Sequence, residues 1–415
     1  MARLRIQTDL LPVHVPIIIA SISAPQNRKV FLIITITPQK GASLAAAPAG
    51  LAGLADPVVE TYLFRRGKTL YRVSHSTSTT RDELFFILIP IIIKLHPHHI
   101  SPYPSNTSFL KNLKTSKWPP QKELTGILVA LITPFTADGA VDLPALDVHI
   151  QRQIDAGVHG LVPGGSTGEF TALTVDERKA VLEQCIKSAA GRVPVIAGIG
   201  DLTTAGVVDL AKHAAKVGAD SLMVVPPFYD APSLAQLRDM FDEIHKASGL
   251  PIMYYNIPAA SGVSLTPSEI AGLSEVGVKY LKDTSGNAPA LTDLLFHHHG
   301  SITALNGWDT LTFYGLAAGA KGSVWGTTNV LPELSVQLWN ALAVENDLKK
   351  GREIWSKIFP ICKFLEAHQY GPAVKTGMEL RGWKTGGLRK PFHLLPDDER
   401  AELAGLLKDA GVPLA

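Results

Sequence analysis

Two cysteines, Cys185 and Cys362, are all that 415 residues contain, and neither stands in a CxxC or Cys/His spacing. That scarcity excludes a disulfide framework and a cysteine-type zinc site, and it fits a reducing compartment. An excess of one charge is also missing. The 39 basic and 37 acidic side chains leave a formal +2, with no dense basic face interleaved with aromatics, so nucleic acid is not expected as a partner. Apolar runs are short: LFFILIPIII at 84–93 is interrupted by Pro90 and falls below the roughly 18 to 20 residues of a membrane-spanning helix. No membrane partner is expected. Small molecules remain as the default ligands.

What is present divides the chain in two. Up to about Pro120, basic residues such as Arg3, Arg5, Arg28, Lys29, Arg65 and Arg66 outnumber the acidic Asp9, Asp56, Glu60, Asp82 and Glu83. Apolar bursts at 15–23, 30–37 and 84–93 show no sustained period of two or 3.6. Residues 1–122 therefore read as a poorly ordered extension, transit-like or not part of the mature protein. Arg-rich, Ser-rich, acid-poor text can be an organelle transit peptide, so the expected location is cytoplasmic, with mitochondrial as the alternative. The histidines in HPHHI at 96–100 read as a solvated tail.

From Gly126 the text changes. Eight apolar runs follow, GILVALITPF, GLVPGG, VPVIAGIG, SLMVVPPF, IMYYNIP, VKYLKDTS, ITALNG and KGSVWGT. Between them lie amphipathic stretches at 143–157, 174–191 and 204–219, with Gly157, Gly191 and Gly218 where helices stop. Short continuous strands alternating with helices imply a parallel sheet buried on both faces, and eight repeats imply closure into a (β/α)8 TIM barrel. A doubly wound open sheet competes, but ALITPFTADG after the first strand offers no GxGxxG. The expected domains are a barrel at 123–345 and a C-terminal helical appendage at 346–415.

Active sites of such barrels are built at the C-terminal ends of the strands. That rule selects Gly165, Ser166 and Thr167 after strand two, Tyr229 after strand four, and Tyr255 and Asn256 at the end of strand five. It adds Lys282 at strand six, Asp309 after strand seven and Thr327 at strand eight. A lysine in an apolar mouth can cap a strand or pair with a carboxylate. It is also the group from which a Schiff base is made, because desolvation favours the nucleophilic free amine. GGSTGEF at 164–170 places glycines and two hydroxyls ahead of a helix, where backbone N–H groups can hold a carboxylate, and the Tyr255 phenol can shuttle protons. Together these groups suit a 2-oxo acid whose ketone meets Lys282.

GLVPGGSTGEFTALTVDE (160–177), YNIPAASG (255–262) and KDTSG (282–286), in that order, resemble the dihydrodipicolinate synthase and N-acetylneuraminate lyase family from about Thr125 onward. The resemblance implies an imine between Lys282 and pyruvate with no other cofactor and no metal, and proton relay by Tyr255. It implies carboxylate binding by Ser166 and Thr167, with Thr167 in a hydroxyl chain to Tyr255, and Gly165 and Thr284 beside the substrate. Tyr229 would reach into a neighbouring subunit's site, in a homotetramer built as a dimer of dimers.

Departures from the family pattern bear on the substrate. The synthase branch has an arginine where Ala260 stands, and the lyase branch a glutamate where Thr310 stands, beside Asp309 in the place of a hydroxyl-binding carboxylate. The expected activity is an aldolase or lyase acting on a 2-oxo-3-deoxy sugar acid or a 4-hydroxy-2-oxo acid, with Asp309, Thr310, Thr327 and Ala260 lining the substrate pocket. Alternatives are 4-hydroxy-tetrahydrodipicolinate synthase, a dehydratase using the same lysine, and a catalytically silent barrel that binds a 2-oxo acid.

Overall fold

In the computed structural model, residues 123–415 are described throughout, and before them the backbone of four strands. These are β1 (Ile18–Ile22), β2 (Phe31–Ile36), β3 (Val58–Arg65) and β4 (Lys68–Ser76), paired antiparallel in that order. The apolar bursts at 15–23 and 30–37 hold β1 and β2. The burst at 84–93 and the histidines of HPHHI lie outside the described residues, as does most of what the expected poorly ordered or transit-like extension concerns. The chain divides into two units, Met1–Thr115 and Ser116–Ala415.

Each of the eight runs after Gly126 holds one strand: β5 (Gly126–Ala130), β6 (Gly160–Val162), β7 (Ile196–Gly198), β8 (Ser221–Val224), β9 (Ile252–Asn256), β10 (Val278–Asp283), β11 (Thr303–Asn306) and β12 (Gly322–Trp325). The parallel sheet runs β6-β5-β12-β11-β10-β9-β8-β7. A bridge between Leu161 and Val195, and the Gly198 N–H donating to the Pro163 carbonyl at 2.9 Å, close it into a barrel. Closure brings two backbones together where no side chain fits, since a Cβ on Gly164 would lie 2.7 Å from the Gly198 carbonyl oxygen.

Helices return the chain between strands, among them α1 (Leu143–Asp155), α2 (Val175–Ala189), α3 (Thr204–Val217) and α4 (Leu234–Ser248). Their ends follow local chemistry. Thr174 and Glu177 cap the start of α2 reciprocally, Ser233 and Gln236 do the same for α4, and Gly218 ends α3 in the left-handed conformation.

Strand alternation sorts the core into two layers. Leu128, Met253, Tyr255, Tyr280 and Leu305 fill the barrel interior, whereas Val129, Tyr254 and Leu281 pack outward among the helices. Lys282, two residues beyond Tyr280, shares its inward face. After β12 come α5 (Leu348–Ala367), α6 (Tyr370–Leu380) and α7 (Asp397–Asp409), whose Ile358, Cys362, Met378 and Leu403 share a core with Ile127 and Trp325 of the barrel. Among the described residues no helix is long and apolar enough to cross a membrane.

Candidate active site

Lys282 occupies the next to last position of β10, between Tyr255 of β9 and Leu305 of β11 in register. It is 5% exposed and Tyr255 4%. The Lys282 Nζ stands 3.9 Å from the centre of the Tyr255 ring, so the amine projects into the mouth against an aromatic wall. Gly307 packs on its stem: a Cβ there would fall 2.7 Å from the Lys282 Cγ and would also meet the Thr284 hydroxyl. That hydroxyl donates to the Gly307 carbonyl at 3.1 Å.

Asp283 faces the other way, as alternation requires. Its carboxylate accepts from the Asn256 side-chain amide at 2.8 Å and the Ser285 N–H at 3.2 Å. Burial raises its pKa, against those donors. Asp309 is instead the carboxylate that the Lys282 charge reaches. It is buried after β11, and its Oδ2 accepts from the Thr327 hydroxyl and, at 2.6 Å, from Tyr370. Burial pushes its carboxyl up to about 6, opposed by the Thr327 and Tyr370 hydrogen bonds; the Glu366 charge raises it further, whereas Lys282 lowers it. Burial beside Asp309 also holds the Tyr370 phenol and the Cys362 thiol well above their usual ranges.

Thr310 is tied to the C-terminal region. Its N–H and its hydroxyl each donate to Glu366 of α5 at 2.9 Å, and the hydroxyl accepts from the Trp308 indole at 3.0 Å. The Trp308 ring in turn covers Gly286 of KDTSG, where a Cβ would lie 3.4 Å from it.

The GGSTGEF loop departs from the expectation of an anion seat directly ahead of a helix. Ser166–Gly168 and Phe170–Ala172 are single 3-10 turns, and the long helix starts only at Val175, where the Glu177 N–H donates to the Thr174 hydroxyl. Within the loop, Ser166 is exposed and Thr167 buried. The Gly168 carbonyl accepts from the Thr133 hydroxyl at 2.8 Å, and Gly165 lies against Met223 of the inner core, 3.1 Å from its would-be Cβ to the Met223 Cε.

Thus Lys282, Tyr255, Asp309 and Thr327 form one buried group linked by contact and charge, with the half-buried Thr284 and Thr310 at its edge. Ala260, in the one-turn helix Pro258–Ser261, and Tyr229, on the loop after β8, are exposed, Tyr229 at 88%. Tyr370, Glu366 and Lys375 were not singled out by sequence. The first two carry no motif, but Lys375 stands alone in PAVKTGM, the stretch of α6 that is buried on every side, and a lone charge in a small, apolar helical run is a readable signal. His297 and His298 both approach Asp293, at 2.6 and 3.8 Å. Among the described residues no three His, Cys, Asp or Glu side chains are grouped to hold a metal.

Comparison with known proteins converges on the same segment. The chain is 34% identical over 289 residues to the 4-hydroxy-tetrahydrodipicolinate synthase of Methanocaldococcus jannaschii, covering 69% of this chain and 99% of that one. It is 36% identical over 290 residues to a DapA-like lyase of Halobacterium salinarum, covering 70% and 95%. A solved structure of an Escherichia coli prophage protein of the dihydrodipicolinic acid synthase family, in complex with pyruvate, superimposes with a TM-score of 0.67 at 30% identity, over 70% of this chain and all of that one. Synthase is the name several relatives bear, the reading that the sequence placed second. Residues 123–410 match the Dihydrodipicolinate synthetase family, and the chain, a TIM-barrel lyase, belongs to that family.

Proposed function

We propose that the protein handles pyruvate as an imine on Lys282, with no further cofactor. The observation that carries this reading is the Lys282 amine, buried at the inner mouth and 3.9 Å from the Tyr255 ring centre. The free amine attacks the ketone carbon of a 2-oxo acid, and loss of water gives the imine, which acts as an electron sink. In the cleavage direction Tyr255 removes the proton of the C4 hydroxyl, the C3–C4 bond breaks, and its electrons form an enamine. Protonation at C3 and hydrolysis release pyruvate. In the condensation direction the same enamine attacks an aldehyde.

Two observations weigh on the partner aldehyde. The names of the relatives favour aspartate semialdehyde, and so 4-hydroxy-tetrahydrodipicolinate synthase. Ala260, exposed in YNIPAASG with no cation in that stretch, favours cleavage of a 2-oxo-3-deoxy sugar acid or a 4-hydroxy-2-oxo acid instead. The test has two stages. Borohydride reduction with pyruvate should add a pyruvate-derived mass at Lys282; a binding protein without imine chemistry would show none. Product formation from pyruvate plus aspartate semialdehyde is then compared with pyruvate release from a panel of 2-oxo-3-deoxy acids. Turnover without pyruvate release on that panel would mark a dehydratase.

The exposure of Tyr229 fits a role across a subunit interface and hence a homotetramer. Sedimentation of the full chain and of Tyr229→Ala tests that assembly; a monomeric, fully active wild type would sink it.

A further inference from the structure

The GGSTGE loop is held from behind by a lysine outside every motif. Lys375, in the middle of α6, is wholly buried. Its Nζ lies 2.5 Å from the Glu169 Oε1, donates to the Gly387 carbonyl at 2.7 Å, and stands 4.3 Å from the centre of the Phe135 ring. Glu169 is in the left-handed region at φ 56, a conformation that a non-glycine residue keeps only when its surroundings enforce it. Among the contacts that hold Glu169 there is the pairing of its carboxylate with Lys375. The C-terminal segment touches the loop again through Arg389, whose N–H donates to the Glu169 Oε2 at 3.4 Å and whose guanidinium donates to the Ala172 carbonyl at 2.7 Å.

Neither partner can move alone, because a buried charge left without its counterion is far more costly than an exposed one. Displacing Glu169 would also pull on Ser166, to which the family resemblance gives a part in binding the substrate carboxylate, since the Glu169 N–H donates to the Ser166 carbonyl at 3.0 Å and its own carbonyl accepts from the Ala172 N–H at 2.8 Å.

We propose that the Lys375–Glu169 pair is a positioning device for the GGSTGE loop, setting the affinity of the imine-forming pocket for a 2-oxo acid without touching it. This rests on the reading of Lys282 as the imine-forming residue and of that loop as the carboxylate seat. Lys375 and Glu169 are positioning residues. A pair that served only to hold the fold together would change stability and leave substrate affinity alone.

The experiment uses the full chain and measures borohydride trapping on Lys282 against pyruvate concentration, with Tm recorded in parallel. The variants are Lys375→Met, Glu169→Gln and the double substitution. Arg381→Met serves as a control from the end of α6, because Arg381 donates to the Val330 carbonyl at 2.6 Å and pairs with Glu333 at 3.1 Å, away from the loop. Expected are a fall in Tm and a rise of roughly 10-fold or more in half-saturating pyruvate for each single variant. The double variant regains much of its Tm, with no unpaired charge left, but keeps the raised half-saturation. Arg381→Met lowers Tm alone. If the single variants do not fold, the double variant decides. Trapping in the wild type, with half-saturation unchanged in folded variants, overturns the proposal. A wild type that traps no pyruvate overturns the imine reading and the proposal together.

Discussion

Lys282 and Tyr255 are register partners on adjacent parallel strands, and the lysine Nζ lies 3.9 Å from the centre of the tyrosine ring. Amine and phenol are thereby carried by backbones that hydrogen-bond to each other, which holds their spacing more firmly than loops would. Tyr255→Phe keeps the ring against the lysine and removes only the hydroxyl. Turnover should fall by about 10²- to 10⁴-fold, the usual contribution of a positioned acid or base, while borohydride still traps pyruvate on Lys282. Unchanged turnover in this variant would remove Tyr255 from the proton transfers.

Gly307→Ala tests the packing under the amine. The added methyl group would lie 2.7 Å from the Lys282 Cγ and 2.9 Å from its Cε. Overpacking of this kind costs about 1–3 kcal/mol, and here the side chains that must yield are Thr284 and Lys282, the proposed nucleophile. A lower Tm and a slowing of pyruvate trapping by roughly 10-fold or more are expected, read from the time course of adduct formation. Normal trapping would show that the stem adjusts without consequence.

Asp309 makes stability depend on pH in a stated direction. Its carboxyl titrates near 6 in the folded chain against 3.8 ordinarily, so between those values the folded state holds a proton that the unfolded chain has lost. The corresponding stability is present below about pH 4 and disappears as pH rises through 6. Asp309→Asn keeps an acceptor for Thr327 and Tyr370 but cannot ionise. Wild-type stability relative to this variant should fall by about 3 kcal/mol between pH 4 and pH 7, taking ~1.4 kcal/mol per pKa unit. Urea denaturation at the two pH values measures it, and a pH-independent difference would contradict the buried carboxyl described here.

The unit Ser116–Ala415 contains every residue of the candidate site. A chain beginning at Ser116 should therefore match the full-length protein in pyruvate trapping and in the Tm of its main transition. A loss of trapping would give the first 115 residues a part in the site.

The barrel was legible because each strand is a short apolar run between helix stops, and period-two alternation assigns Lys282 inward and Asp283 outward from sequence alone. The start of α2 was legible too, in TVDE at 174–177, whose threonine and glutamate cap each other. That same box places the helix several residues beyond Ser166 and Thr167, so the expected dipole behind those hydroxyls is missing. Tyr370, Glu366 and Lys375 escaped for a different reason. Periodicity says which face of a helix is buried but not which loop it meets, and these side chains meet Asp309, Thr310 and Glu169 only once the C-terminal helices have packed back across the barrel.

The clasp between α6 and the GGSTGE loop also imposes an order on assembly. A chain made from its N-terminus exposes all eight strands before residue 375 emerges, and until then Glu169 has no cation to face. Gly386, which must pass so close to the Phe135 carbonyl that no side chain fits there, is later still. The strands can pair early, but if the clasp sets the mouth as proposed, that mouth is completed only as synthesis ends, and a nascent or C-terminally clipped chain would be a barrel with an unfinished pocket.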